Sequence, residues 1–204
     1  MLLHWVSARS AVAGPPDEPT PRPRAVLAGG GPIFGAFVIN GFPSGDGYYE
    51  EASAPRSVGA FARARFLATE GVGVGVAPSY EWVFDTEVGE VRVRSLAVPI
   101  EVTGRVVRLG SGGLWLLGGF GYSRSWHEDQ RAARGATVVA SGWTLQLGPE
   151  LWFPVSARVG AFFNVIARFD NAYFQNGWEQ IDGANVYGGG LLVRAGVEAE
   201  LLKL

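Results

Sequence analysis

The stretch LLVRAGVEAELL, residues 191–202, decides the fold class because its two alternating faces differ in chemistry. Successive side chains of a β-strand point to opposite sides, so a two-residue period predicts a strand that separates two environments. The even positions include Arg194, Gly196, Glu198 and Glu200. The odd positions form an unbroken apolar row, which consists of Leu191, Val193, Ala195, Val197, Ala199 and Leu201. We therefore predict a strand with one apolar and one charged side.

The same two-residue period returns along most of the chain. Residues 159–169 alternate apolar side chains with glycine, asparagine and arginine, and residues 143–153 and 72–84 follow the same pattern. Apolar alternation of this kind predicts half-buried strands. We predict eight strands, with bounds uncertain by about two to four residues: residues 24–39, 56–68, 71–84, 90–103, 114–126, 137–153, 157–171 and 185–202.

Composition indicates which side of these strands faces outward. Hydrophobic residues make up 48% of the 204 residues and charged residues 18%, and Lys203 is the only lysine. The polar face of a soluble β-sandwich meets water and is usually rich in lysine, whereas this one mixes glycine, arginine, glutamate and phenylalanine. That mixture suits a crowded interior with apolar rows facing lipid. The predicted fold is all-β: a single eight-stranded antiparallel up-and-down transmembrane β-barrel.

The connections between the predicted strands alternate in length. Residues 40–55, 127–136 and 172–184 are long and polar or aromatic, whereas residues 69–70 and 154–156 are tight and residues 104–113 are glycine-rich. Long outer loops and short periplasmic turns are typical of outer-membrane barrels. Both chain termini are then expected on the periplasmic side.

Two neighbouring segments resemble a known family. SLAVPIEVTGR, residues 95–105, and LWLLGGFGYS, residues 114–123, resemble the fourth and fifth strands of small bacterial outer-membrane β-barrel proteins. The resemblance implies an eight-stranded barrel of the porin-like superfamily, most of whose small members have no open pore. It also implies a location in the bacterial outer membrane, with outer-membrane lipid or lipopolysaccharide as a partner.

The predicted barrel offers two sets of candidate site residues. An eight-stranded lumen is just wide enough to be filled by side chains, so inward charges are expected to pair with one another. The predicted lumenal charge network comprises Arg63, Arg65, Arg92, Arg94, Glu150, Arg158, Arg168, Arg194, Glu198 and Glu200. Aromatic residues near the loop ends of the strands are expected to form a membrane-interface belt. They are Tyr80, Trp82, Phe84, Tyr122, Trp126, Tyr173 and Tyr187.

These features favour a structural or surface-interaction barrel with a filled lumen. A small-solute channel is one alternative. An enzyme that modifies outer-membrane lipid is another, because SRSWHEDQ brings Ser123, Ser125, His127, Glu128 and Asp129 together. No oxyanion donor accompanies them, so we expect no catalysis.

With no cysteine and two histidines we expect no metal or cofactor. A net charge of −2 without a basic cluster argues against a nucleic-acid partner.

Residues 1–23 form a separate unit before the barrel of residues 24–204. They combine a leader with an arm that contains Pro15, Pro16, Pro19, Pro21 and Pro23, and such a proline-rich arm favours an extended conformation. We expect the arm to dock on another copy of the chain and to mediate self-assembly as a homo-oligomer. An unchanged oligomeric state after removal of residues 1–23 would contradict this expectation.

Overall fold

The protein is a ring of antiparallel strands. The computed structural model describes residues 24–40, 51–52, 56–84, 91–129, 137–176 and 179–203. No helix in these ranges is long and apolar enough to cross a membrane. The strands are β1 (Ala25–Asn40), β2 (Glu51–Ala52), β3 (Arg56–Thr69), β4 (Val72–Val76), β5 (Ser79–Phe84), β6 (Val91–Leu109), β7 (Gly112–Asp129), β8 (Thr137–Pro154), β9 (Val159–Asn176) and β10 (Glu179–Lys203).

The ring has eight strand positions, which we call staves; each is one strand, or two consecutive strands that share the same neighbours. The predicted third strand is divided into β4 and β5 at Ala77 and Pro78, and both halves pair with β3 on one side and β6 on the other. Proline cannot donate a hydrogen bond to a neighbouring strand, which explains the interruption. The short β2 pairs with the end of β1 and adds no stave of its own.

The first stave closes the ring against the last. Within β1, Ile33 lies opposite Arg194 of β10 on one side and opposite Gly59 of β3 on the other. Each further stave pairs with its sequence neighbour in antiparallel register. Within the described residues, closure gives each of the eight positions in the ring a hydrogen-bonded neighbour on both sides, as strands in lipid require. The predicted fold, an eight-stranded antiparallel up-and-down barrel, is confirmed.

The tight turns lie at the same end of the barrel as the start of β1 and the end of β10. Ala25 pairs with Lys203 and with Leu67, close to the turn at residues 70–71. The connection predicted over residues 104–113 is shorter than expected, because β6 runs to Leu109 and β7 starts at Gly112. Gly110 adopts a φ of 58°, which suits glycine and lets two residues reverse the chain.

The outward face of the barrel is apolar. In the opening stretch, Leu191 and Val197 are 58% and 56% exposed, whereas Leu192 and Arg194 are 0% and 1% exposed. The same contrast holds around the ring, where the exposed side chains include Val74, Val102, Leu116, Phe120, Leu145, Leu147, Phe163 and Phe169. Because a soluble protein hides such rows and exposes its charges, this wall is suited to lipid.

Interior glycines let neighbouring strands approach closely. A Cβ atom added at Gly148 would lie 2.0 Å from the backbone oxygen of Val165 and 2.8 Å from the Cα atom of Ile166. Gly118 lies one register position away on the outward side, and the nearest atom to its added Cβ is 4.0 Å distant. Gly148 therefore has no room for a methyl group, whereas Gly118 has.

We predict that Gly148→Ala destabilises the barrel by about 1–3 kcal/mol, because strand β9 must move away from β8 to admit the methyl group. Gly118→Ala is the matched control and is expected to leave the free energy of unfolding unchanged within about 0.5 kcal/mol. Urea unfolding in lipid vesicles, followed by tryptophan fluorescence, measures both. Equal stability of the two variants would contradict this account of the interior.

Candidate functional site

Six charged side chains form a central network in the lumen. Arg63 donates to Glu150 at 2.6 Å and lies 3.3 Å from Glu101, and Arg65 bonds to both Glu150 (3.1 Å) and Glu198. Arg194 donates to Glu101 at 2.8 Å. The central network therefore has three arginines and three glutamates, all of them buried. Formal charges cancel within it.

Neutral amides complete the central network. Asn164 donates from its side-chain nitrogen to Glu150 at 3.2 Å, and Arg194 donates to the side-chain oxygen of Gln146 at 2.7 Å. Glu150 thus accepts hydrogen bonds from three side chains. Buried charges are tolerated when they are both paired and hydrogen-bonded, and this network meets both conditions.

A second group, the upper network, lies nearer the loop end of the barrel. Arg168 bonds to Glu81, donates to Asp170 at 2.7 Å and donates to Ser95 at 3.0 Å. Glu81 also accepts from Ser57 at 3.1 Å and from Ser79 at 3.3 Å. One arginine therefore faces two carboxylates, and the serine hydroxyls stabilise the carboxylate of Glu81.

Apolar side chains fill the space beside these networks. The phenyl rings of Phe61 and Phe162 meet edge to face with centroids 5.7 Å apart. The guanidinium carbon of Arg63 lies 5.3 Å from the ring centroid of Phe162, and that of Arg194 lies 5.2 Å from the ring centroid of Phe61. Ile33, Leu117, Ile166 and Leu192 are fully buried in the same cluster. The middle of the lumen is packed with side chains.

Pockets lie at both ends of this packed region. An open pocket at the loop end is lined by residues that include Glu81, Arg168, Ser123 and His127. A second open pocket at the turn end is lined by residues that include Arg65, Arg105, Trp115 and Trp152. The central network and the Phe61–Phe162 pair stand between them.

Most of the charged residues that were predicted to face the lumen do occupy inward positions. Six of the ten predicted residues lie buried in the two networks: Arg63, Arg65, Glu150, Arg168, Arg194 and Glu198. Glu200 is half-buried near the turn end of β10, and the described part of the chain gives it no ion pair. Its backbone nitrogen donates to the backbone oxygen of Arg158 at 2.7 Å.

The lumenal placement predicted for Arg92 and Arg94 is wrong. Both lie on the outward face of β6, where Arg92 is exposed and Arg94 is half-buried. The reason is the strand's fixed two-residue period, because the apolar outward row of Leu96, Val98 and Ile100 continues directly into these two positions.

The lumenal placement predicted for Arg158 is also wrong. This residue is exposed in the turn at residues 155–158, because β9 starts at Val159 and not at 157. The backbone nitrogens of Val155 and Ser156 both donate to the backbone oxygen of Val159, at 2.8 and 2.9 Å. These bonds close the turn and leave the side chain of Arg158 outside the lumen.

Sequence reasoning missed Glu101, which bridges Arg63 and Arg194. It shares the inward face of β6 with Ala97, Pro99 and Thr103, all of them buried. The apolar row on the opposite face was the signal that could have located Glu101. One phase error in β6 therefore accounts both for the missed glutamate and for the misplaced Arg92 and Arg94.

The predicted interface aromatics lie on the outward face wherever their side chains are described. Trp82, Phe84 and Tyr122 are exposed, and Tyr80, Trp126 and Tyr173 are half-buried. The rings of Tyr80 and Trp82 meet edge to face at 5.0 Å, and the hydroxyl of Tyr122 donates to Ser141 at 3.1 Å. The side chain of Tyr187 and those of residues 1–23 lie outside the described residues.

The serine and histidine of the SRSWHEDQ segment do meet. The Oγ atom of Ser125 lies 2.8 Å from Nε2 of His127, within hydrogen-bond reach. Both residues and Ser123 line the loop-end pocket, on the opposite side of the wall from lipid. Among the residues that the structure describes, no group of three or more side chains is arranged to hold a metal ion.

Comparisons with known proteins give the fold. No family model and no curated protein matches the sequence. Neisserial surface protein A is 10% identical with a TM-score of 0.57, over 86% of this chain and 97% of its own. The outer membrane protein OprG from Pseudomonas aeruginosa is 12% identical with a TM-score of 0.58, over 88% and 97%.

A third solved structure covers still more of the chain. The outer membrane protein AlkL, determined in lipid bilayers, is 9% identical with a TM-score of 0.54, over 96% of this chain and 97% of its own. At such identities the likeness concerns the fold, and the apolar outward wall adds independent support for a membrane location. The chain therefore has the fold of small eight-stranded outer-membrane β-barrel proteins.

Proposed function

We propose that this barrel is a structural or surface-interaction protein of the outer membrane, with a filled and charge-paired lumen that does not conduct. The observation that carries the proposal is the central network, in which three arginines and three glutamates neutralise one another. These groups bond to each other and not to a passing solute. The lumen then stabilises the barrel, and function is left to the outer wall and the loops.

The filled lumen argues against the small-solute channel. An aqueous path needs a continuous lane between the two pockets, but Arg63, Arg194, Phe61 and Phe162 occupy the space between them and each is at most 5% exposed. To open a lane, several mutually bonded charges would have to move apart in a poorly hydrated interior. Such rearrangement is costly because each separated charge loses its partner.

The barrel that we propose has no catalytic activity. Ser125 and His127 are hydrogen-bonded, but they face the lumen while lipid lies on the other side of the wall. A lipid acyl ester in the outer leaflet therefore has no direct access to Ser125. A change in lipid A structure that depends on this pair, seen by mass spectrometry of native membranes, would count against the proposal.

The positions of the strand ends are consistent with surface interaction. Strands β1, β5 and β7 end at Asn40, Phe84 and Asp129, at the end of the barrel away from the tight turns. Neisserial surface protein A, whose name states a surface location, has the same fold. Self-assembly through residues 1–23 stays a prediction.

We predict that the purified barrel, inserted into a planar lipid bilayer, gives no conductance steps above the leak of the bilayer. The physical reason is the packed region between the two pockets. An open trimeric porin inserted by the same procedure is the positive control. Reproducible steps that disappear on Arg63→Ala or Arg194→Ala would instead support the channel.

We further predict that Glu150→Ala destabilises the barrel by about 3–5 kcal/mol, since it leaves Arg63 and Arg65 without their shared partner in a buried site. Glu70→Ala is the matched control, because Glu70 pairs with Arg105 at 3.3 Å in a partly exposed position. That change is expected to cost about 0–1 kcal/mol. Urea unfolding in vesicles measures both, and equal losses would contradict a stabilising network.

A further inference from the structure

The outward face of β5, β6 and β7 carries a group of cationic and aromatic side chains near the loop end. Trp82 lies opposite Arg94, and Arg94 lies opposite Trp126, so the three residues form one row across three strands. Tyr80 and Arg124 flank Leu96 in the neighbouring row. We call Arg94, Arg124, Tyr80, Trp82 and Trp126 the arginine–aromatic patch.

The rings of the patch hold one another and one guanidinium in place. Tyr80 contacts Trp82 at 5.0 Å and Trp126 at 6.4 Å between ring centroids. The guanidinium carbon of Arg124 lies 5.4 Å from the ring centroid of Trp126. A stacked guanidinium keeps the N–H groups at its edge available for an anion, and its orientation is already restricted.

The two arginines of the patch differ from those of the lumen in their partners. Each lumenal arginine of the two networks bonds to at least one carboxylate. Within the described residues, neither Arg94 nor Arg124 has an ion pair, and Arg124 lies over the ring of Trp126. Among the described residues of this face, the acidic side chain is Glu128, which lies opposite Arg92 and beyond the row of Arg94. The patch therefore has two positive charges that no described carboxylate neutralises.

The height of the patch on the wall selects the kind of anion. Towards the middle of the wall the same face continues into Val98, Tyr122 and Ile100, which are exposed and suited to lipid tails. Trp82 is 51% exposed at the level where interfacial aromatic residues meet lipid headgroups. Guanidinium groups bind phosphate through paired hydrogen bonds, and such bonds strengthen where water is partly excluded.

We propose that Arg94 and Arg124 bind the phosphate group of an anionic outer-leaflet lipid, a glycolipid of the lipid A type, whose sugar packs on Trp82 and Trp126. The proposal rests on the outer-membrane barrel function above and gives it a specific lipid partner. The aromatic rings supply apolar contact with the sugar, and the two guanidiniums supply the charge. The bound lipid lies against the outer wall and not in the lumen.

The test is a titration of the full barrel in detergent with bisphosphorylated lipid A, read by native mass spectrometry. The double variant Arg94→Gln/Arg124→Gln is expected to bind about tenfold or more weakly, because charge-assisted hydrogen bonds are lost. The matched control is Arg108→Gln/Lys203→Gln, which removes two exposed positive charges at the turn end. That control is expected to bind within about twofold of the unchanged protein.

Two further probes distinguish the sources of the phosphate. Lipid A with its phosphates removed is expected to bind the unchanged protein as weakly as bisphosphorylated lipid A binds the patch variant. Inorganic phosphate at the same concentration is expected not to displace bound lipid A, because it lacks the contacts with Trp82 and Trp126. Equal binding of the dephosphorylated lipid, or full displacement by inorganic phosphate, would overturn the proposal.

The result also separates this site from the function on which it rests. Heat-modified mobility on gels reports whether each variant forms a folded barrel. If the patch variant is folded and binds lipid A like the unchanged protein, the site is wrong and the barrel function stands. If the unchanged protein fails to insert into lipid, both are wrong.

Discussion

The whole structure depends on the pairing of β1 with β10, because a strand in lipid has no water to satisfy its backbone groups. Ala25 to Asn40 pair with Lys203 to Tyr187 on one side, and β3 pairs with β1 on the other. Once the ring is closed, one face of every strand is directed to lipid and the other face to the lumen. The two-residue period then divides the sequence into a lipid-facing row and a lumen-facing row.

Closure with eight staves also fixes what the interior can contain. Such a lumen is just wide enough for side chains, so the inward residues must fit and satisfy one another. Glycines such as Gly148 make room where strands approach, and Glu150 draws Arg63 and Arg65 into one hydrogen-bonded group. The interior therefore serves stability, and the surfaces left for interaction are the wall and the loops.

Most of the barrel follows from the sequence because period, burial and strand length all depend on one alternation. The odd positions of residues 191–201 face outward and the even positions from Leu192 to Glu200 face inward, as predicted, whereas Leu202 at the strand end is exposed. Strand β6 shows the limit of predicting strand faces from the sequence. The sequence predicts that Arg92 and Arg94 point inward, but Arg94 belongs to the apolar row of β6, which continues past the lipid tails to the interface.

Strand ends and partners were harder to predict for a physical reason. Alternation marks where a strand crosses lipid, but it does not say how far pairing continues beyond it. Thus β6 and β7 extend to a two-residue turn at Gly110 and Ser111. Ion-pair partners depend on barrel register, which brings Arg63 within reach of Glu150 although 87 residues separate them. No local pattern reports such a distance.

The measurement that tests the account most directly is the lipid exposure of outward and inward positions, one position at a time. The chain has no cysteine, so a nitroxide label can be attached to single cysteines at the outward Leu191, Val193, Ala195 and Val197 and at the inward Ser123 and Ser125, which line the loop-end pocket. In vesicles, oxygen dissolved in the bilayer is expected to relax the four outward labels strongly and the two inward labels weakly. Equal relaxation at all six positions would contradict a closed barrel with a filled lumen.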